Sequence, residues 1–76
     1  MNTDVQYWLS PVPGFCDTCD GPIRNVFYDA RTINGPWACM CKTCQTLGPG
    51  INKLGTGYGQ EYTENKKSGK WIKTRG

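Results

Sequence analysis

Histidine does not occur in this chain, which removes both the commonest general base and the commonest nitrogen ligand for zinc. Acidic groups are few and scattered: Asp4, Asp17, Asp20, Asp29, Glu61 and Glu64 show no recurrent spacing that would pair two carboxylates for acid–base work. No enzyme activity is expected. Long apolar runs are missing as well, and nothing approaches the roughly 20 residues that would cross a bilayer as a helix. The first ten residues contain Asp4 and have neither a basic opening nor an apolar stretch of about 7 to 15 residues, so they do not read as a secretory signal. Nowhere do apolar residues recur at helical spacing, so little helix is expected.

The chain is also short of core-forming material. Of its 76 residues 37% are hydrophobic, while Gly and Pro contribute 10 and 5 positions that are poor in packing surface. Below roughly 80 residues a hydrophobic core alone rarely supplies more than about 3 to 5 kcal/mol. A staple is therefore required on energetic grounds.

Cysteine is what the sequence has in excess, with five. An odd count would strand one thiol in an oxidising compartment. With no secretory signal to read, a reducing, cytoplasmic setting is the expectation, and there paired cysteines bind metal more often than each other. Their spacing is Cys16-Asp-Thr-Cys19, then 21 residues, then Cys41-Lys-Thr-Cys44. Two residues between cysteines let the backbone turn tightly enough for both sulfurs to face one ion, and two such knuckles supply the four thiolates of a tetrahedral site. Zinc suits an all-thiolate tetrahedron, and iron can occupy the same donors. Buried apolar cysteines and a redox pair are the competing readings; the redox pair would need a βαβ context that is missing here. Cys39 lies two residues before Cys41, and in an extended strand it would point to the same face, so it competes for the metal. Only Cys41 completes C-x₂-C with Cys44, and Cys39 is expected to be a buried filler.

Three segments follow: an extended piece over residues 1–14, a ribbon over 15–64 and a basic tail over 65–76. Val5, Tyr7 and Leu9 alternate with polar or differently facing neighbours and could add an edge strand. Extended runs from Pro22 to Tyr28 and from Pro36 to Cys41 flank Asn34-Gly35, which favours positive φ at both central turn positions, so a hairpin is expected at Thr32 to Gly35. Pro36 belongs on an edge or at a strand start. Gln45 to Gly59 is rich in glycine and reads as a loop without stable helix, whose glycines do not form a phosphate-binding motif. Tyr58, Gln60 and Tyr62 alternate as a half-buried strand would, and a last strand around Trp71 and Ile72 could follow a turn at Asn65 to Gly69. Phe27 and Trp37, flanking the hairpin, are the expected core aromatics.

The stretches Gly35-Pro-Trp-Ala-Cys-Met-Cys-Lys-Thr-Cys44 and Leu54-Gly-Thr-Gly-Tyr-Gly-Gln-Glu-Tyr62, with Cys16 and Cys19, resemble a pattern in short zinc-ribbon proteins of bacteriophages and mobile elements. The resemblance covers roughly residues 15 to 62. It implies a rubredoxin-like knuckle pair with Cys16, Cys19, Cys41 and Cys44 as ligands, and a phage-encoded protein in the host cytoplasm.

Charge points to the partner class. Residues 66–76 carry Lys66, Lys67, Lys70, Lys73 and Arg75 with no acid, whereas residues 1–65 carry four basic and six acidic side chains. Cations interleaved with Trp71 can neutralise phosphates while the indole stacks on a base, and Tyr58 and Tyr62 are further contact candidates. A solvated tail accounts for the same charges, and a net charge of +3 is modest. The expectation is a small, metal-stabilised, mostly-β zinc ribbon with one structural Zn²⁺, binding nucleic acid or a nucleic-acid-processing complex. The alternative is a protein–protein inhibitor or adaptor acting on a host enzyme or defence complex.

Overall fold

The computed structural model describes residues 5–76. It is mostly β: strands β1 (Val26–Arg31), β2 (Trp37–Met40), β3 (Gly59–Glu64) and β4 (Trp71–Arg75), with one short helix, α1 (Lys42–Leu47), between β2 and β3. The strands form a single antiparallel sheet in the order β2-β1-β3-β4.

The β1–β2 hairpin turns where the Asn-Gly signal placed it, with a different backbone. Thr32 N–H donates to the Pro36 carbonyl and Gly35 N–H to the Thr32 carbonyl, both at 3.0 Å. Gly35 has φ 106° and Asn34 does not share the left-handed region. This is a three-residue loop with one positive-φ position, and such a loop needs one glycine at its end. Pro36, lacking an amide, immediately precedes the edge strand β2.

Alternation along the strands gives two different faces. Tyr28, Ala30 and Met40 are buried on one, clustered with Cys16 and Cys44. Phe27, Tyr62 and Trp71 are buried on the other, with Trp8 and Cys39 packed against them. The Phe27 ring stacks on Tyr62 with centroids 5.3 Å apart, and Trp8 meets both edge-on at 5.1 and 5.2 Å. Trp71 completes the cluster 5.2 Å from Phe27.

The last strand expected around Trp71 and Ile72 is present: β4 pairs with β3 through Thr63↔Ile72 and Glu64↔Trp71. Two other expectations are corrected. Trp37 is not core but 48% exposed. It lies opposite Arg31 at the end of β1, beyond the last β1–β3 pair, Ala30↔Gly59, so no third strand flanks it. The glycine-rich stretch does begin in helix: α1 ends at Leu47, one residue before the first glycine of the stretch, Gly48.

The N-terminal piece contributes one antiparallel bridge, Tyr7↔Ile72, on the outer edge of β4. Trp8 N–H donates to the Trp71 carbonyl at 2.9 Å and Lys73 N–H to the Gln6 carbonyl at 2.7 Å. Part of the segment read as extended, residues 1–4, lies outside the described residues. Close approach fixes two glycines. A Cβ at Gly59 would overlap the Ala30 side chain across the β1–β3 pair, and one at Gly50 would lie 2.6 Å from Gln45 Cα.

Candidate metal centre

Local backbone geometry shapes each knuckle. In the first, Cys16 N–H donates to the Gly21 carbonyl at 2.7 Å and Asp20 N–H to the Cys16 carbonyl at 2.9 Å, which closes the turn. Asp20 takes φ 64°, a conformation Asp tolerates better than most residues. Gly21 N–H points at Cys19 Sγ, 3.4 Å away, and amide donors of this kind stabilise thiolate charge. The second knuckle arises because the chain leaves β2 after Met40, passes through extended Cys41 and starts α1 at Lys42. Gln45 N–H donates to the Cys41 carbonyl, and Gly48 and Gly50 N–H groups to the Cys44 carbonyl, at 3.0, 3.1 and 2.9 Å.

The two knuckles meet. The sulfurs of Cys16, Cys19, Cys41 and Cys44 all lie within 4.8 Å of one another. A tetrahedron with metal–sulfur bonds of about 2.3 Å has edges of about 3.8 Å, and Cys19 Sγ and Cys41 Sγ stand 3.8 Å apart. None of the five cysteines is in a disulfide. The donor set thus fits a metal ion. Cys16 and Cys44 are buried, Cys41 is half-buried and Cys19 is exposed, so the centre sits at the rim of the first face.

Electrostatics inside the centre are uneven. Burial opposes ionisation of Cys16, yet the Thr18 hydroxyl at 3.2 Å and the amides of Cys41, Thr18 and Cys19 lower it to about 6. Thr18 also works to lower Cys44, but burial and the sulfurs of Cys19, Cys16 and Cys41 push that thiol up to about 12. The Cys16 thiolate therefore forms readily, whereas Cys44 needs a cation beside it to ionise near neutral pH. Thr18 has no place in the C-x₂-C pattern except as a spacer, so its contribution was not legible there.

Cys39 is separated from the other four. It packs against the Phe27 cluster on the opposite face, whereas Cys41 packs with the first cluster. The chain turns out of the strand between them, so the shared direction expected of an extended run is lost. Burial, then Asp29 and Asp17, push its thiol up to about 11. Its backbone has a role that its side chain does not: Asp17 N–H donates to the Cys39 carbonyl and Cys39 N–H to Asp17 Oδ2, both at 2.9 Å. The pair ties the first knuckle to β2.

The expected contact residues do not form one patch. Trp71 and Tyr62 are only 8% and 7% exposed, so they are core rather than stacking platforms, because Glu64↔Trp71 and Phe27↔Tyr62 pairing turns both inward. Lys66, Lys67 and Lys70 are exposed around the β3–β4 turn, where Lys66 Nζ meets Glu64 Oε1 at 2.7 Å and Lys70 Nζ sits 5.2 Å from the Tyr7 ring. Lys73 pairs with Tyr62. Arg75 binds Glu61 Oε2, which Tyr28 O–H also reaches, while Thr74 O–H donates to Glu61 Oε1. A register shift between Glu61 and Tyr62 delivers both Thr74 and Arg75 to that carboxylate. Arg75 first, against some burial, holds Glu61 down at about 2. Tyr58 is exposed, with Lys53 Nζ 5.4 Å from its ring centroid.

Buried Gln45 was not anticipated. Its Nε2 donates to the Lys53 carbonyl at 3.2 Å and its own carbonyl accepts Asn52 N–H at 3.0 Å, which pins the glycine-rich loop to α1; its Oε1 has no partner among the described residues. No helix among the described residues is long and apolar enough to cross a membrane. No family model, curated protein or solved structure matches the chain.

Proposed function

We propose that this chain is a zinc-binding module in which Cys16, Cys19, Cys41 and Cys44 hold one structural Zn²⁺, and that it acts by binding rather than by catalysis. The observation that carries the reading is the convergence of four sulfurs from two separate knuckles within 4.8 Å. Four thiolates fill a tetrahedron and leave no open position for water or substrate, which is the pattern of an architectural site. Zinc is preferred to iron for that donor set in a closed site, and the resemblance to phage and mobile-element zinc ribbons supports the same assignment.

The partner is nucleic acid or a complex that processes it, met in a reducing cytoplasm. A net charge of +3 and the exposed Lys66, Lys67 and Lys70 support this reading. Native mass spectrometry with elemental analysis tests the metal: one zinc per chain is expected, and iron or a metal-free protein overturns the assignment. Titrating binding to short DNA and RNA against salt tests the partner, since phosphate contacts give a log–log decline.

A second reading has an observation of its own. Tyr7, Leu9, Val12 and Phe15 expose apolar surface along one segment, with Leu9 92% exposed, and this favours a protein-binding adaptor or inhibitor. Flat, undetectable nucleic-acid binding at low salt together with a stable protein complex would establish it instead.

A further inference from the structure

Charge is sorted in space in a way its order along the chain hides. Residues 1–65 carry more acid than base, yet three of their four cations, Arg31, Lys42 and Lys53, converge on one side of the molecule, where Arg75 joins them. There two concavities adjoin, sharing Thr46 and Asn52 in their walls. The smaller, of about 180 Å³, lies between α1, the loop and the sheet at Tyr28 and Arg75. The larger, of about 530 Å³, is framed by Arg31, Lys53 and Tyr58. Among the described residues no acidic side chain lines either, and the neighbouring Glu61 carboxylate is already bound by Tyr28, Thr74 and Arg75. Among the described residues Arg31, Lys42 and Lys53 form no ion pair.

We propose that these two concavities are one groove for a short single-stranded stretch of nucleic acid, with phosphates on Arg31, Lys42 and Lys53 and a base on Tyr58. The site rests on the nucleic-acid reading above and relocates it from the β3–β4 turn to the α1 side. A single strand is specified because the 41% exposed Tyr58 ring can stack only on a base face that a duplex keeps covered. A base on that ring would bring its phosphate toward the Lys53 ammonium. The groove is pre-shaped: Gln45 holds the Lys53 carbonyl, and Gly50 lets the loop fold back against α1.

The test is fluorescence anisotropy with a labelled single-stranded oligonucleotide and its duplex on the zinc-loaded full chain. The variants are Arg31→Glu with Lys53→Glu, Tyr58→Ala, and Lys66→Glu with Lys67→Glu, each checked for zinc content and circular dichroism. Reversal in the groove should weaken single-strand binding at least about tenfold and lower the salt slope by about 1.4, two single-strand phosphates' worth. Tyr58→Ala should cost roughly tenfold on the single strand and little on the duplex. The Lys66 and Lys67 reversals should cost less than about threefold. If those turn variants lose binding and the groove variants do not, the groove assignment falls and the nucleic-acid reading stands. If the wild type binds neither probe at low salt, both fall. Equal duplex and single-strand binding with no effect of Tyr58→Ala also overturns the groove.

Discussion

On one face of the sheet Tyr28, Ala30 and Met40 lie beneath the cysteine centre; on the other, Phe27, Tyr62 and Trp71 lie beneath Trp8. The first face sets a single buried aromatic, Tyr28, beside the smaller or more flexible Ala30 and Met40, and it is closed by the two cysteine turns. The second is an aromatic cluster in which ring pairs contribute about 0.5 to 1.5 kcal/mol each beyond their buried area. Both are needed in a chain this short, but they should fail differently. The four cysteines offer a metal ion a few strong bonds at the first, and the second is held by many weak contacts.

Removing the metal is the harshest way to break that comparison. Structural zinc contributes about 10 kcal/mol or more near neutral pH, beyond what a core of this size can replace. A strong chelator should abolish cooperative melting, and the near-ultraviolet signal of Trp8 and Trp71 should vanish with it. If that signal survives, the aromatic face folds independently. An unchanged melt would sink the metal-stapled architecture.

Truncating the aromatic face should cost less. Phe27→Ala removes a fully buried ring at the cluster centre and should destabilise by about 3 to 5 kcal/mol. Zinc stoichiometry measured at low temperature should stay at one per chain. Loss of zinc under conditions where circular dichroism still reports a folded sheet would show that the two faces are not separable.

The carboxylate network should contribute less than either. Glu61 is held at about 2 in the folded chain, against 4.5 ordinarily, chiefly by Arg75. Its contribution is therefore fully present above about 4.5 and is lost as pH falls toward 2. Arg75 is largely exposed, so screening limits the contribution to about 1 kcal/mol. Glu61→Gln should lower stability by that amount equally at pH 7 and pH 5; a difference that already shrinks across this interval would contradict the assignment. Least affected should be Cys39→Ala, which trims a half-buried thiol from the aromatic face. It should cost under about 1 kcal/mol and leave the metal content unchanged, whereas a lost zinc would return Cys39 to the ligand set.

How much of this the sequence discloses depends on distance along the chain. C-x₂-C is a local device, so the four clustered cysteines could be read from spacing, and Asn34-Gly35 marked its turn for the same reason. Trp37 and Trp71 could not be told apart, because burial depended on which strands flanked them: β3 stops short of Trp37, while β4 carries Trp71 inward. The helix α1 escaped notice because six residues are too few to show a period. Arg31, Lys42, Lys53 and Arg75 are separated by 10 to 21 residues, and only the folded chain collects them.

The two bonds between Asp17 and the Cys39 backbone have a consequence for solubility. β2 is an outer strand, and an outer strand with vacant amides and carbonyls invites another molecule to zip onto it. The first knuckle occupies that position, much as Gln6 and Trp8 occupy the margin of β4. A chain stripped of its ion would therefore lose more than compactness, since releasing Asp17 would leave a ribbon edge ready to polymerise.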